Sequence, residues 1–122
     1  MSFKSIPEVA SALRDFAAER DWDQFHTPKN LAAAMSVEAA EVLEHFQWLK
    51  EGERLSEGKK EEVAMELADV FLYLVRLSDR LGVDLLQAAQ RKMVINADNY
   101  PAAFTRGGIR KKDKTRTSRK KV

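Results

Sequence analysis

The feature that most constrains this chain is a set of apolar residues, Val63, Leu67, Val70, Leu74, Leu77 and Leu81, spaced alternately by four and three. That period follows the 3.6-residue turn of an α-helix; a strand would repeat every two residues. A stripe sustained over about five turns has to be covered by other helices, so it sets the architecture of its surroundings. The rest of the 122 residues agree. Five glycines and three prolines are too few for the many turns of an all-β chain, and the length suits one domain.

The flanking segments read as further helices. Ser5-Ile6-Pro7-Glu8 supplies an N-cap, a first-turn proline and a glutamate able to reach back to the cap, which predicts a helix to about Arg20 burying Val9, Leu13, Phe16 and Ala17. Thr27 or Asn30, with Pro28, opens a second helix predicted to reach Trp48. Residues 50–60 contain Gly52, Ser56 and Gly58 without an apolar period and read as a loop or a frayed helix start. Gly82 supplies a left-handed stop after the third helix. Asp84 caps a fourth, carrying Leu85, Leu86, Ala89, Met93 and Val94 and ending near Tyr100 because Pro101 follows. The expected fold is therefore all-α, with four main helices in residues 1–104 and a basic tail, 105–122, expected to be disordered. Four helices from one modest chain leave apolar faces uncovered, so a bundle assembled with neighbouring subunits, a homodimer or homotetramer, is expected.

Composition removes several chemistries. There is no cysteine, which excludes disulfides, thiol nucleophiles and thiolate zinc sites. The longest apolar run, Val70 to Val75, falls far short of the ~20 residues of a membrane span, and a cytoplasmic setting is expected. The tail carries nine Lys or Arg against the single Asp113, so the first 104 residues are net acidic. With no aromatic residue and no recognition helix, the tail implies at most weak nonspecific attraction to nucleic acid.

The chemistry lies in acidic pairs on the two central helices. With Glu38 at zero on a helical wheel, Glu41 falls at about −60° and the apolar residues Leu31, Met35, Val42, Phe46 and Leu49 at about 20–80°. Glu66 and Asp69 repeat this arrangement beside the stripe of the third helix. Antiparallel packing of the two stripes brings Glu38, Glu41, Glu66 and Asp69 to one edge, where like charges raise each other's pKa unless a cation sits among them. Oxygen-only ligands favour Mg²⁺, with Mn²⁺ as a substitute. The same acids also fit the solvated flanks of two amphipathic helices; the matched second pair favours a site.

The segments Phe16 to Leu31, Glu38-Ala39-Ala40-Glu41 through Phe46-Gln47-Trp48, Glu66-Leu67-Ala68-Asp69-Val70, and Lys92-Met93-Val94-Ile95-Asn96 with Tyr100-Pro101 together resemble the all-α, MazG-like nucleoside triphosphate pyrophosphohydrolases. Within that family the dCTP pyrophosphatase branch is most similar. The resemblance implies Mg²⁺-dependent hydrolysis of a (d)NTP to a (d)NMP and diphosphate, with dCTP or a modified dCTP as the expected substrate and the four acids as metal ligands. It implies phosphate contacts from Lys92 and Asn96, which lie four apart on one helix face, and a base pocket lined by Trp22, Trp48 and Tyr73, with His26 in a similar Phe-His-x-Pro segment. Ala97-Asp98-Asn99 departs from relatives that carry Arg or Lys before the tyrosine, leaving Lys29, Arg76 or a neighbouring subunit as compensating cations. Glu41, Glu44 and Glu62 are open as general bases, and His45 reads as structural or exposed. The competing reading is a catalytically silent helical module that uses its basic tail to bind nucleic acid or a partner.

Overall fold

A computed structural model describes residues 1–112. Among these the regular elements are all helical: α1 (Ile6–Glu19), α2 (Pro28–Glu44), α3 (Glu57–Leu81), α4 (Leu85–Asn99) and the short α5 (Ala102–Thr105). The four main helices each begin at a capping side chain. Ser5, Thr27, Ser56 and Asp84 accept hydrogen bonds from the backbone N–H groups of Glu8, Asn30, Lys59 and Gln87, satisfying donors that the first turn leaves without partners. At the end of α3, Gly82 takes φ 68° and its N–H returns to Asp79, as the left-handed stop requires.

Two helix bounds differ from expectation. α2 ends at Glu44, because the following N–H groups of His45 and Phe46 bond three residues back, to Val42 and Leu43, and tighten the chain into turns. These turns keep Phe46 and Trp48 near helical spacing, which is why the apolar pattern overran the helix. α3 begins at Glu57, earlier than the apolar period begins; its first turns are solvent-exposed and contribute no stripe. α5 was not anticipated, and its Thr105 hydroxyl donates to the Pro101 carbonyl. The expected disorder of the tail falls largely on residues 113–122, which lie outside the described residues.

The chain divides into two compact units, residues 1–83 and 84–122. In the first, α3 is the central rod, packed against α2 and against α1. Val9 and Ala10 of α1 bury against Val75 of α3, with Ile6, Leu13 and Leu72 around them, and Arg14 bonds Asp79 at 3.1 Å beside this contact. Full burial of Val75 contributes about 1.5–3 kcal/mol. The core is nonetheless small: Phe16, expected inside, is 46% exposed, and Leu67, Leu81 and much of the α2 apolar face are open as well. In the second unit, α4 and α5 are joined at Pro101, and the Lys112 N–H donates to the Asn99 carbonyl.

The connection between α1 and α2 is built to a pattern. Arg20 ends the helix, Asp21 turns left-handed at φ 55°, and the N–H groups of Asp21 and Trp22 return to the carbonyls of Ala18 and Ala17. This is a Schellman closure with aspartate where glycine is commoner. It fixes the direction in which Trp22 leaves the helix. Two further turns, from Phe25 and His26 back to Trp22, and the Asn30 amide on the Phe25 carbonyl, then fix His26.

Candidate active site

His45, at the end of α2, meets Glu62 and Glu66 of α3, while Glu38, two turns earlier, interacts with Glu66 and Asp69. The order reverses along the second helix, so α2 and α3 run antiparallel, and all four predicted acids share one region. Removal from water holds the Glu38 carboxyl above its usual range, and three neighbouring carboxylates, Glu41, Asp69 and Glu66, push it further the same way. The close approach of the Glu41 side chain acts in the same direction.

Glu38 Oε2 and Glu66 Oε2 are both buried without a hydrogen bond. His45 Nε2 lies 2.9 Å from Glu66 Oε2 without forming a hydrogen bond to it, so the contact is a charge pair only when the ring carries its second proton. A buried carboxylate oxygen with no donor is costly, and a cation is the partner that would relieve two such oxygens together. Among the described residues no three carboxylate or imidazole groups stand close enough together to hold a metal ion as they are placed. The donor chemistry, carboxylate oxygens with two left unpaired, suits a hard divalent ion, and closing a shell around one means drawing together groups that repel without it.

Beside the acids is a cavity of about 160 Å³, lined by Leu13 and Phe16 of α1, Trp22 and His26 of the connection, and Asp69, Leu72, Tyr73 and Arg76 of α3. The α3 residues fall at i, i+3, i+4 and i+7, a single stripe of the helix. Asp69 therefore belongs both to the acidic cluster and to the cavity wall. The volume is below the ~300–1,000 Å³ of pockets for whole drug-sized ligands and suits one ring system. Trp22 contacts Phe16 edge-on at 5.7 Å and His26 at 6.0 Å, giving the cavity an aromatic side.

Arg76 closes the far wall. Its side chain is only 5% exposed; Nη2 donates to Asp23 Oδ1 at 2.7 Å, Nε donates to His26 Nδ1 at 3.2 Å, and Nη1 is 3.8 Å from Asp79. Burial lowers the pKa of His26, and the Arg76 charge lowers it further against the opposing pull of Asp23. The sequence offers Arg76 as a spare cation for phosphate. Its donors are instead committed within the wall, to Asp23 and His26.

The structure thus brings together Glu38, Glu41, Glu66, Asp69, Trp22, His26 and Tyr73. Trp48 is 86% exposed and takes no part in this cavity. Lys92 and Asn96 lie one turn apart on α4, in the second unit. Sequence reasoning missed the linings from Leu13, Phe16 and Leu72 and the Arg76 wall; Leu72 and Arg76 could have been found from their register with Asp69. It also missed that His45 stands against Glu66. Among the described residues no helix is long and apolar enough to cross a membrane.

An all-helical chain with two acidic pairs on antiparallel helices, opening on an aromatic cavity, is the class that fold and site define. A profile of the MazG-like family matches residues 33–111, more than half of the chain, and the chain belongs to that family. It is 48% identical over 117 residues to dCTP pyrophosphatase 1 of Homo sapiens, covering 90% of this chain and 69% of the relative. It is 46% identical to dCTP pyrophosphatase 1 of Mus musculus, over 84% of this chain and 63% of that protein, so it spans about two thirds of these relatives' length. A crystal structure of a pyrophosphatase from Archaeoglobus fulgidus superposes with a TM-score of 0.67 at 37% identity, covering 83% of this chain and 96% of that one.

Proposed function

We propose that the protein is a nucleoside triphosphate pyrophosphohydrolase that cleaves dCTP, or a modified dCTP, to the monophosphate and diphosphate, one water being consumed. The observation that carries this reading is the double membership of Asp69, which joins the acidic cluster to a ring-sized aromatic cavity. Similarity to relatives named dCTP pyrophosphatase 1 supports the choice of base.

Glu38, Glu41, Glu66 and Asp69 would hold Mg²⁺, with Mn²⁺ as a substitute. Bound there, the ion supplies the positive charge that lets a triphosphate approach acidic residues, and it acidifies water for attack on phosphorus. The protein's own groups do the rest. Trp22 and Tyr73 offer faces for the base, where stacking contributes about 1–3 kcal/mol. Leu13, Phe16 and Leu72 exclude water from the cavity. Glu66 and Asp69, one turn apart on the helix that also carries Tyr73, hold the reacting end in fixed register with the base. Lys92 and Asn96 are assigned to phosphate binding on their spacing and the family resemblance. The exposed apolar surface of α2 and α3 supports assembly into a homodimer or homotetramer, which would give Trp48 a neighbour to cover it. We place the activity in the cytoplasm, acting on the nucleotide pool.

Incubating the protein with each canonical and modified (d)NTP and Mg²⁺, and identifying both products, tests the reading. Diphosphate and a monophosphate, with cytosine preferred, are expected. Stepwise release of single phosphates, or no turnover of any triphosphate, would refute it.

A further inference from the structure

The wall of the cavity contains one buried arginine that faces a histidine rather than the solvent, and the direction of their hydrogen bond carries information. A guanidinium is protonated at every accessible pH and has donors only. Arg76 Nε lies 3.2 Å from His26 Nδ1 and donates to it, so Nδ1 must present its lone pair. A neutral imidazole has a single N–H, which then resides on Nε2. Among the described residues Nε2 has no protein partner, while the ring lines the cavity.

Arg76 is itself held rigidly. Asp23, which lies three residues before His26, takes Nη2 at 2.7 Å, and Asp79, one turn along α3 from Arg76, stands 3.8 Å from Nη1. Asp79 in turn bonds Arg14 of α1 at 3.1 Å. The guanidinium therefore cannot rotate to release His26 without abandoning its 2.7 Å ion pair with Asp23, and Arg76, only 5% exposed, would be left without that carboxylate partner. A cationic His26 would set an N–H against the Arg76 donor.

We propose that Arg76 is a positioning residue for base recognition: it locks His26 as the Nε2–H tautomer, so that the cavity presents a fixed donor and selects bases with a hydrogen-bond acceptor on that edge. Ring carbonyl oxygens and unprotonated ring nitrogens of pyrimidines are such acceptors; an amino group at the same place would meet a donor and be rejected. A site with a committed donor discriminates strongly, because the wrong ligand leaves a polar group unpaired. The inference rests on reading the cavity as the base pocket, but the tautomer itself does not depend on that reading.

The test begins with the wild-type protein labelled with ¹⁵N-histidine and free of nucleotide. Long-range ¹H–¹⁵N correlation at neutral pH, with the two histidines distinguished by the His45→Gln variant, should show His26 Nδ1 as pyridine-like and Nε2 as pyrrole-like. In Arg76→Met both nitrogens should move toward the averaged positions of an imidazole that exchanges between tautomers. The same variant should raise KM for the preferred triphosphate about tenfold, the loss of one directed hydrogen bond, while kcat stays within about twofold. A pyrrole-like Nδ1 in the wild type, an unchanged pattern in Arg76→Met, or a fall in kcat at constant KM would each overturn the proposal. If Arg76→Met does not fold, the wild-type spectrum still decides the tautomer. If no triphosphate is turned over, the proposed activity fails while the spectra still decide the role of Arg76.

Discussion

Neutralising Glu38 should change stability in opposite directions with and without a divalent ion. In the metal-free protein, Glu38 faces Glu41, Glu66 and Asp69, and its Oε2 is buried with no donor. Glu38→Gln preserves shape, removes half of the pairwise repulsions among four charges, and supplies an amide N–H₂ to a neighbouring carboxylate. In EDTA the variant is therefore expected to melt at or above the wild-type temperature. Mg²⁺ reverses the ranking. An ion at a hundredfold excess over its Kd stabilises a folded protein by about 2.7 kcal/mol. For a domain of this size each kcal/mol raises Tm by roughly 4–8 °C, so the wild type should gain on the order of 10–20 °C. The variant, short of a ligand, should gain less than half of that. Differential scanning fluorimetry of both proteins across a Mg²⁺ titration measures the crossing. If the two curves stay parallel, or Mg²⁺ shifts neither, the acids are the solvated flanks of two amphipathic helices and no metal site exists.

Trp22→Ala should raise KM for the preferred nucleotide by one to two orders of magnitude, from about 1–3 kcal/mol of lost stacking, with far-UV circular dichroism unchanged. His26 is expected to titrate below the ordinary histidine value. The unfolded chain then binds the proton more tightly, so stability contributed by this group is complete above pH 6.5 and is lost as pH falls through the depressed folded value. Denaturant titrations between pH 5 and 7.5, compared with His26→Gln, would show that slope vanish in the variant. Gly82→Ala adds a Cβ that touches nothing within 4 Å, but at φ 68° it should still cost about 1 kcal/mol in urea unfolding, wholly from the backbone.

How much of this was legible follows from how local each signal is. The caps act within three residues: Ser5 and Asp84 were found from spacing alone and Thr27 as one of two candidates with Asn30, whereas Ser56 was passed over because the exposed first turns of α3 carry no apolar period to mark a helix start. The stop at Gly82 was equally local. The end of α2 was not, because tight turns after Glu44 preserve helical spacing of Phe46 and Trp48 while changing the hydrogen bonds beneath them. Phe16 and Leu67 show a second limit. Periodicity reports which face of a helix is apolar, but whether that face is covered depends on what the fold places opposite it, and here both remain open.

The site divides along the same line, and the division explains why α3 matters more than its neighbours. Glu66, Asp69, Tyr73 and Arg76 form one helical stripe, so their mutual geometry is set by the helix repeat and could be read before any fold was known. Asp69 to Arg76 spans about 10 Å along the axis. The helix acts as a ruler with acids at one end and the Tyr73–Arg76 cavity wall at the other. The partners that give Arg76 its meaning come from 50 residues away at His26 and 53 at Asp23, across a connection whose path is set by a left-handed aspartate rather than by any apolar pattern. Inserting one alanine between Asp69 and Tyr73 would therefore be more damaging than replacing either residue. It rotates the cavity wall by about 100° against the acids, and with it carries Arg76 away from a histidine whose position the insertion does not move.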